Sequence, residues 1–208
     1  MYLPAAFRVD DTTVLDAFLA AHPLAVLISH GEDGLTADHI PMRLERAEDG
    51  RARLYGHVAR ANPVHRHSPS GTSVLAVFRG EEHYITPSWY PSKRAHGKVV
   101  PTWNYRTVHV RGTIHWLEGR DAAHRIVDEL TAAHEQPRPT PWAVDDAPAD
   151  YLDGMLAAIV PFHIEVGEML GKFKASQNRN EEDRAGVREG LAHEGLDEPG
   201  VAGLVRDP

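Results

Sequence analysis

Short runs of apolar and β-branched residues, each closed by a tight-turn signal, recur along this chain and favour an antiparallel sheet over alternating βαβ units. Residues 24–29 are a buried-type strand, and Gly31-Glu32-Asp33-Gly34 reads as a hairpin turn into a second strand over 35–44. Glu48-Asp49-Gly50 turns the chain into 52–58. Residues 72–78 form another strand, continued over 82–85 after a turn at Arg79-Gly80, and strand chemistry returns over 105–117 and 160–166. Helical spacing predicts a helix from the Asp10-Asp11-Thr12-Thr13 cap to His22-Pro23, and a short one opening at Asn62-Pro63. Further helices are expected from Gly119 to about 133, over 149–159 and over 181–191. Residues 86–101 are too irregular for an element, and 136–148, with four prolines, read as a linker. About seven strands and four or so helices give an α+β class built on an antiparallel barrel.

The 208 residues suffice for one substantial core, and we expect a single domain over 1–208 with a helical C-terminal extension from about 180. Cysteine is absent, which removes disulfides, thiolate metal sites and cysteine nucleophiles. The chain contains no G-x-G-x-x-G, P-loop, G-x-S-x-G or H-E-x-x-H signature. His65-Arg66-His67 with His57 and His109 invites a metal, but carboxylates are scarce nearby and H-x-H alone is weak; no metal site is expected. Met1-Tyr2-Leu3-Pro4 lacks a secretory pattern and no apolar run reaches membrane-spanning length, so a cytoplasmic protein without membrane association is expected.

Net charge is −8, which disfavours nonspecific nucleic-acid binding, yet the charge is unevenly spread. Between Gly50 and Leu117 the acids are Glu81 and Glu82 alone, against ten Lys or Arg. A second acid-free window, 169–180, holds Lys172, Lys174 and Arg179. Two such windows in an acidic chain point to a phosphate-bearing ligand.

Three stretches stand out. Gly56-His57-Val58-Ala59-Arg60-Ala61-Asn62-Pro63 combines small residues, which permit close backbone approach, with anion donors. Residues 84–92 and 100–105 bring aromatics and prolines that suit either a wall for a planar heterocycle or a dimer interface. Gly171-Lys172-Phe173-Lys174-Ala175-Ser176-Gln177-Asn178-Arg179 places two lysines on one side of an extended chain, followed by amide and hydroxyl groups that fit a phosphate or a pyrimidine-like ring edge.

These stretches, with Met1-Tyr2-Leu3-Pro4-Ala5-Ala6-Phe7-Arg8 and Ala37-Asp38-His39-Ile40-Pro41, occur in the order found in the PaiB-like proteins, described as FMN-binding negative transcriptional regulators, and the chain resembles that family over nearly its whole length. The resemblance implies an FMN-binding split β-barrel of the flavin-reductase type with peripheral helices, assembled as a homodimer. Taken with the residue chemistry, an FMN ligand suggests roles. Arg60, Lys172 and Lys174 would bind the phosphate, with Ser176 as a neutral donor. Asn62, Gln177 and Asn178 would bond ribityl hydroxyls or the ring edge. Trp103, Asn104 and Tyr105 would wall the ring system, with His39 and His57 nearby.

The expected function is FMN binding with flavin-dependent oxidoreductase capacity; whether the chain is an enzyme stays open, since no catalytic acid or base is visible. The alternative is an FMN-gated or cofactor-free regulator or interaction module. The family's regulatory label implies DNA binding, but no helix-turn-helix or basic recognition helix is present to support it. Haem is a distant possibility, because related split barrels can use it.

Overall fold

The computed structural model describes residues 1–31, 34–195 and 205. In chain order the elements are β1 (Arg8–Val9), α1 (Thr12–Ala21), β2 (Leu24–Gly31), β3 (Gly34–Pro41), β4 (Arg43–Arg46), β5 (Ala52–Ala59) and α2 (Val64–His67). They continue with β6 (Ser73–Ile85), α3 (Ser92–His96), β7 (Thr102–Trp116), α4 (Arg120–Glu135), α5 (Ala149–Ala157), β8 (Ile159–Lys174) and α6 (Glu181–His193). The strands form one sheet in the order β3-β2-β6-β7-β8-β5-β4, with β1 added to β8. The pairs β2–β3, β2–β6, β4–β5, β5–β8 and β1–β8 are all antiparallel. This is the expected α+β, antiparallel class, and among the described residues the strand order does not close on itself.

Local chemistry explains most boundaries. Asp11 Oδ1 accepts from Thr13 N at 2.8 Å, capping α1. Asn62 Oδ1 accepts from Val64 N at 2.9 Å and Asn180 Oδ1 from Asp183 N at 2.8 Å, doing the same for α2 and α6. Gly31 pairs with Gly34 as a hairpin requires, while Glu32 and Asp33 lie outside the described residues.

Four expectations need correction. The 35–44 run divides into β3 and β4 at Met42, whose N–H donates to Pro23 O at 2.9 Å while its side chain is buried. Arg79-Gly80 is not a turn: β6 runs through it, because a polar pair on a long strand can remain in the ladder when its neighbours are fixed by pairing. The 86–101 segment is not structureless, since it contains a 3-10 turn at Pro87–Trp89, capped by Thr86, and α3. Finally, β8 does not stop at 166 but continues through Gly167 to Lys174.

The chain packs as two compact units, each described by itself. One comprises Met1–Phe18, Arg79–Val108 and Leu170–Pro208; the other, Leu19–Phe78 and His109–Met169. In the first, Ile85, Tyr90, Val187, Leu191 and Val205 form a buried cluster, joined by Trp89 and Val99. Phe18 and Phe173 meet at a tilt of 45° with centroids 5.1 Å apart, and the Arg106 guanidinium lies 5.7 Å from both rings. In the second, α4 sets Ile126 and Leu130 on Tyr55, and Ala123 with Val144, Leu152 and Leu156 joins α4 to α5. No described helix is long and apolar enough to cross a membrane.

Candidate functional site

The end of β8 builds the site in the first unit. Its alternation sends Phe173 into the core, 1% exposed, and leaves Lys172 and Lys174 on the opposite side. Lys172 is nevertheless only 8% exposed, because β1 lies alongside with Arg8 opposite Lys172 and Val9 opposite Gly171. A side chain at Gly171 would meet Leu15 Cδ2 at 2.4 Å and Val9 O at 2.9 Å, so close strand approach requires glycine there. Lys172 Nζ donates to Tyr2 O at 3.0 Å and lies 5.5 and 5.4 Å from the rings of Tyr2 and Tyr105. Lys174 Nζ donates to Thr102 Oγ1 and, at 2.6 Å, to Trp103 O.

Ser176 follows in the left-handed region, φ 63°, a conformation uncommon for a residue other than glycine. Its hydroxyl accepts from Asn104 Nδ2 at 2.8 Å, with both residues buried. Gln177 is engaged locally: its Nε2 donates to Phe173 O at 2.6 Å and its Oε1 accepts from Ala175 N at 2.7 Å. Asn178 is exposed. Arg179 places its guanidinium 4.6 Å from the Tyr90 ring. Trp103 is 52% exposed and meets Tyr84 edge-on at 6.0 Å.

Burial holds the Lys174 amine below the ordinary lysine range, and the like charges of Lys172 and Arg179 push it further the same way. Among the described residues, neither Lys172 nor Lys174 pairs with a carboxylate. Two lysines with no carboxylate partner among the described residues are what a phosphate would relieve. The residues present therefore fit an FMN phosphate.

The remaining expected residues belong to the second unit. His39 is exposed on β3. His57 on β5 has a buried Nδ1 with no hydrogen-bond partner among the described residues, and burial holds its ring below the ordinary histidine range. Arg60 donates from Nε to Ala157 O and from Nη2 to Ile159 O, both at 2.7 Å, closing the C-terminal end of α5. Asn62 Nδ2 donates to Asp38 Oδ1 at 2.7 Å. Arg60 also lines a cleft of about 700 Å³ with His65, Trp116, Arg120 and Asp153. Sequence reasoning assigned no role to Tyr2, Thr102 or Arg179, although Arg179 lay in the acid-free window and the other two inside the family-like runs.

Residues 1–168 match the family described as "Putative FMN-binding domain". The chain belongs to this family. FMN is the cofactor that such domains bind, in agreement with the cationic cluster. The chain is 31% identical over 194 residues to "Protease synthase and sporulation protein PAI 2" of Bacillus subtilis, covering 93% of this chain and 90% of that protein. An uncharacterized protein of Emericella nidulans is 31% identical over 243 aligned residues, covering 100% and 97%. Among solved structures, the FAD and heme binding protein from Mycobacterium smegmatis gives a TM-score of 0.58 at 18% identity, covering 80% of this chain and 72% of that one. The flavocytochrome Anf3 from Azotobacter vinelandii gives 0.59 at 14%, covering 86% and 75%. These likenesses establish the split-barrel flavoprotein fold that the resemblance implied.

Proposed function

We propose that this FMN-binding protein is an oxidoreductase working as a homodimer, with the first unit's Lys172–Lys174 cluster holding the phosphate. The observation that carries the reading is the acid-free group of Lys172, Lys174 and Arg179 beside the buried Asn104–Ser176 pair. When bound, FMN supplies the redox chemistry. The chain's own residues bind and orient it. Lys172 and Lys174 offer charged N–H groups, Trp103 and Tyr105 offer aromatic faces, and the Asn104 bond fixes the turn at Ser176.

A visible spectrum of the purified protein tests the reading. We expect a flavin spectrum after adding FMN, bleached by NADH or NADPH under anaerobic conditions. A spectrum untouched by either nicotinamide would remove the nicotinamide-reductase reading and leave binding alone. Sedimentation of the flavin-loaded protein tests the dimer.

The same cluster predicts a pH dependence. Lys174 starts with a lowered pKa, and a bound phosphate would raise it, so binding takes up a proton once pH exceeds the free protein's value. FMN affinity should therefore fall as pH rises through the free protein's lowered value, before an ordinary lysine titrates. Fluorescence titration across that rise checks this, and a Lys174→Met protein should lose most of the slope.

A second reading is a regulatory role, favoured by the identity with the sporulation protein of Bacillus subtilis. A gel-shift titration at physiological salt tests its DNA-binding form; no shift above nonspecific binding would remove it.

A further inference from the structure

On the second unit, β7 and β8 bring two imidazoles and a carboxylate to one face. His163 and Glu165 are separated by two positions on β8, so their side chains leave the same side of the strand. His115 comes from β7, the neighbouring strand. The approach is close, since a Cβ at Gly112 of β7 would lie 2.2 Å from Glu165 O. The ligand-type atoms of His115, His163 and Glu165 all fall within 4.8 Å of one another. His115 Nε2 is buried, makes no hydrogen bond among the described residues, and lies 3.9 Å from Glu165 Oε2. The two rings stack at 5.0 Å with 22° between their planes.

We infer that His115, His163 and Glu165 form a binding site for a divalent transition-metal ion, separate from the FMN-phosphate cluster. Two imidazoles and one carboxylate suit zinc, copper, nickel or iron better than magnesium or calcium, which prefer all-oxygen shells. Tetrahedral ligands at about 2.1 Å from one ion lie about 3.4 Å from each other, so atoms now within 4.8 Å of one another close with shifts of up to about 0.7 Å by each side chain. The near-parallel rings must also turn about their χ2 bonds, and both side chains have the partial exposure to do so.

Arg53 is the competitor. It lies opposite Glu165 on β5 and its Nη2 is 3.4 Å from Glu165 Oε1. Both side chains are about half exposed, so solvent screens the pair and an ion can displace it. Three protein ligands leave at least one coordination position open to water or a small ligand.

Calorimetric titration of the FMN-loaded full chain with Zn²⁺ tests the site, alongside electron paramagnetic resonance with Cu²⁺. We expect a single equivalent bound and a copper signal split by two imidazole nitrogens. His163→Gln and Glu165→Gln should each weaken Zn²⁺ binding at least about tenfold, with circular dichroism and FMN content unchanged. Arg53→Ala, which removes the competing contact to Glu165, should tighten it about twofold or more. Unchanged affinity in a His115→Gln/His163→Gln protein would place the ion on other histidines and overturn the inference. So would absence of uptake by the native chain, or weaker binding in Arg53→Ala.

Discussion

A Lys172→Ala/Lys174→Ala protein is expected to bind FMN at least about a hundredfold more weakly than the native chain. Each lysine offers a charge-assisted hydrogen bond to a phosphate dianion, contributing about 1.5–3 kcal/mol. Together they would account for about 3–6 kcal/mol, which is two to four decades in affinity. The partners these amines already have, carbonyls of Tyr2 and Trp103 and the Thr102 hydroxyl, are neutral, so they orient the charges without cancelling them. Because Lys172 is buried, its loss could also disturb packing. Lys172→Met keeps the aliphatic stem and should weaken FMN binding by about one to two decades while leaving the circular dichroism intact. FMN fluorescence titration measures both proteins. An unchanged dissociation constant in the double variant would show that the phosphate lies elsewhere.

Two glycine substitutions in helices should move stability in opposite directions. Alanine in place of glycine gains about 1 kcal/mol of helix propensity wherever there is room. Gly154 in α5 has room, with nothing within 4 Å of a built Cβ, so Gly154→Ala should stabilise by about 0.5–1 kcal/mol. Gly186 in α6 has none. Its Cβ would stand 2.1 Å from Trp89 O and 3.1 Å from Pro91 Cδ. Since the nearest atom is backbone, relief requires moving the helix off the cluster of Ile85, Tyr90, Val187 and Leu191. Overpacking of this kind costs about 1–3 kcal/mol and can exceed the propensity gain. Urea unfolding should show a raised midpoint for Gly154→Ala and a lowered one for Gly186→Ala. A raised midpoint in the latter would mean that α6 does not pack on Trp89 as described.

Strand identity and helix caps could be read from the sequence because both are written in local chemistry. Asp11, Asn62 and Asn180 cap the helices they precede, and the apolar faces of α4 and α5 meet through residues at helical spacing. Strand length was less readable. Arg79-Gly80 and Gly167 look like interruptions, yet pairing with neighbours carries β6 and β8 through them.

In the candidate site, Lys172 and Lys174 sharing a side followed directly from strand alternation. The fate of the amides did not. Asn62 and Gln177 look like ligand donors in sequence, but short polar side chains near turns bond the backbone around them first, and both do so here. Nor does any local signal announce the left-handed Ser176, whose hydroxyl is tied to Asn104, 72 positions away. The His115–His163–Glu165 group was invisible for a related reason. Its members are dispersed in sequence, and only the neighbouring of β7 and β8 gathers them.

The bond from Lys172 to the Tyr2 carbonyl spans 170 positions. The amide oxygen of the second residue thus anchors a cation proposed to hold the cofactor. The backbone at Tyr2 serves as a strut, and a change of its path would be felt as a change in flavin colour rather than as a silent edit.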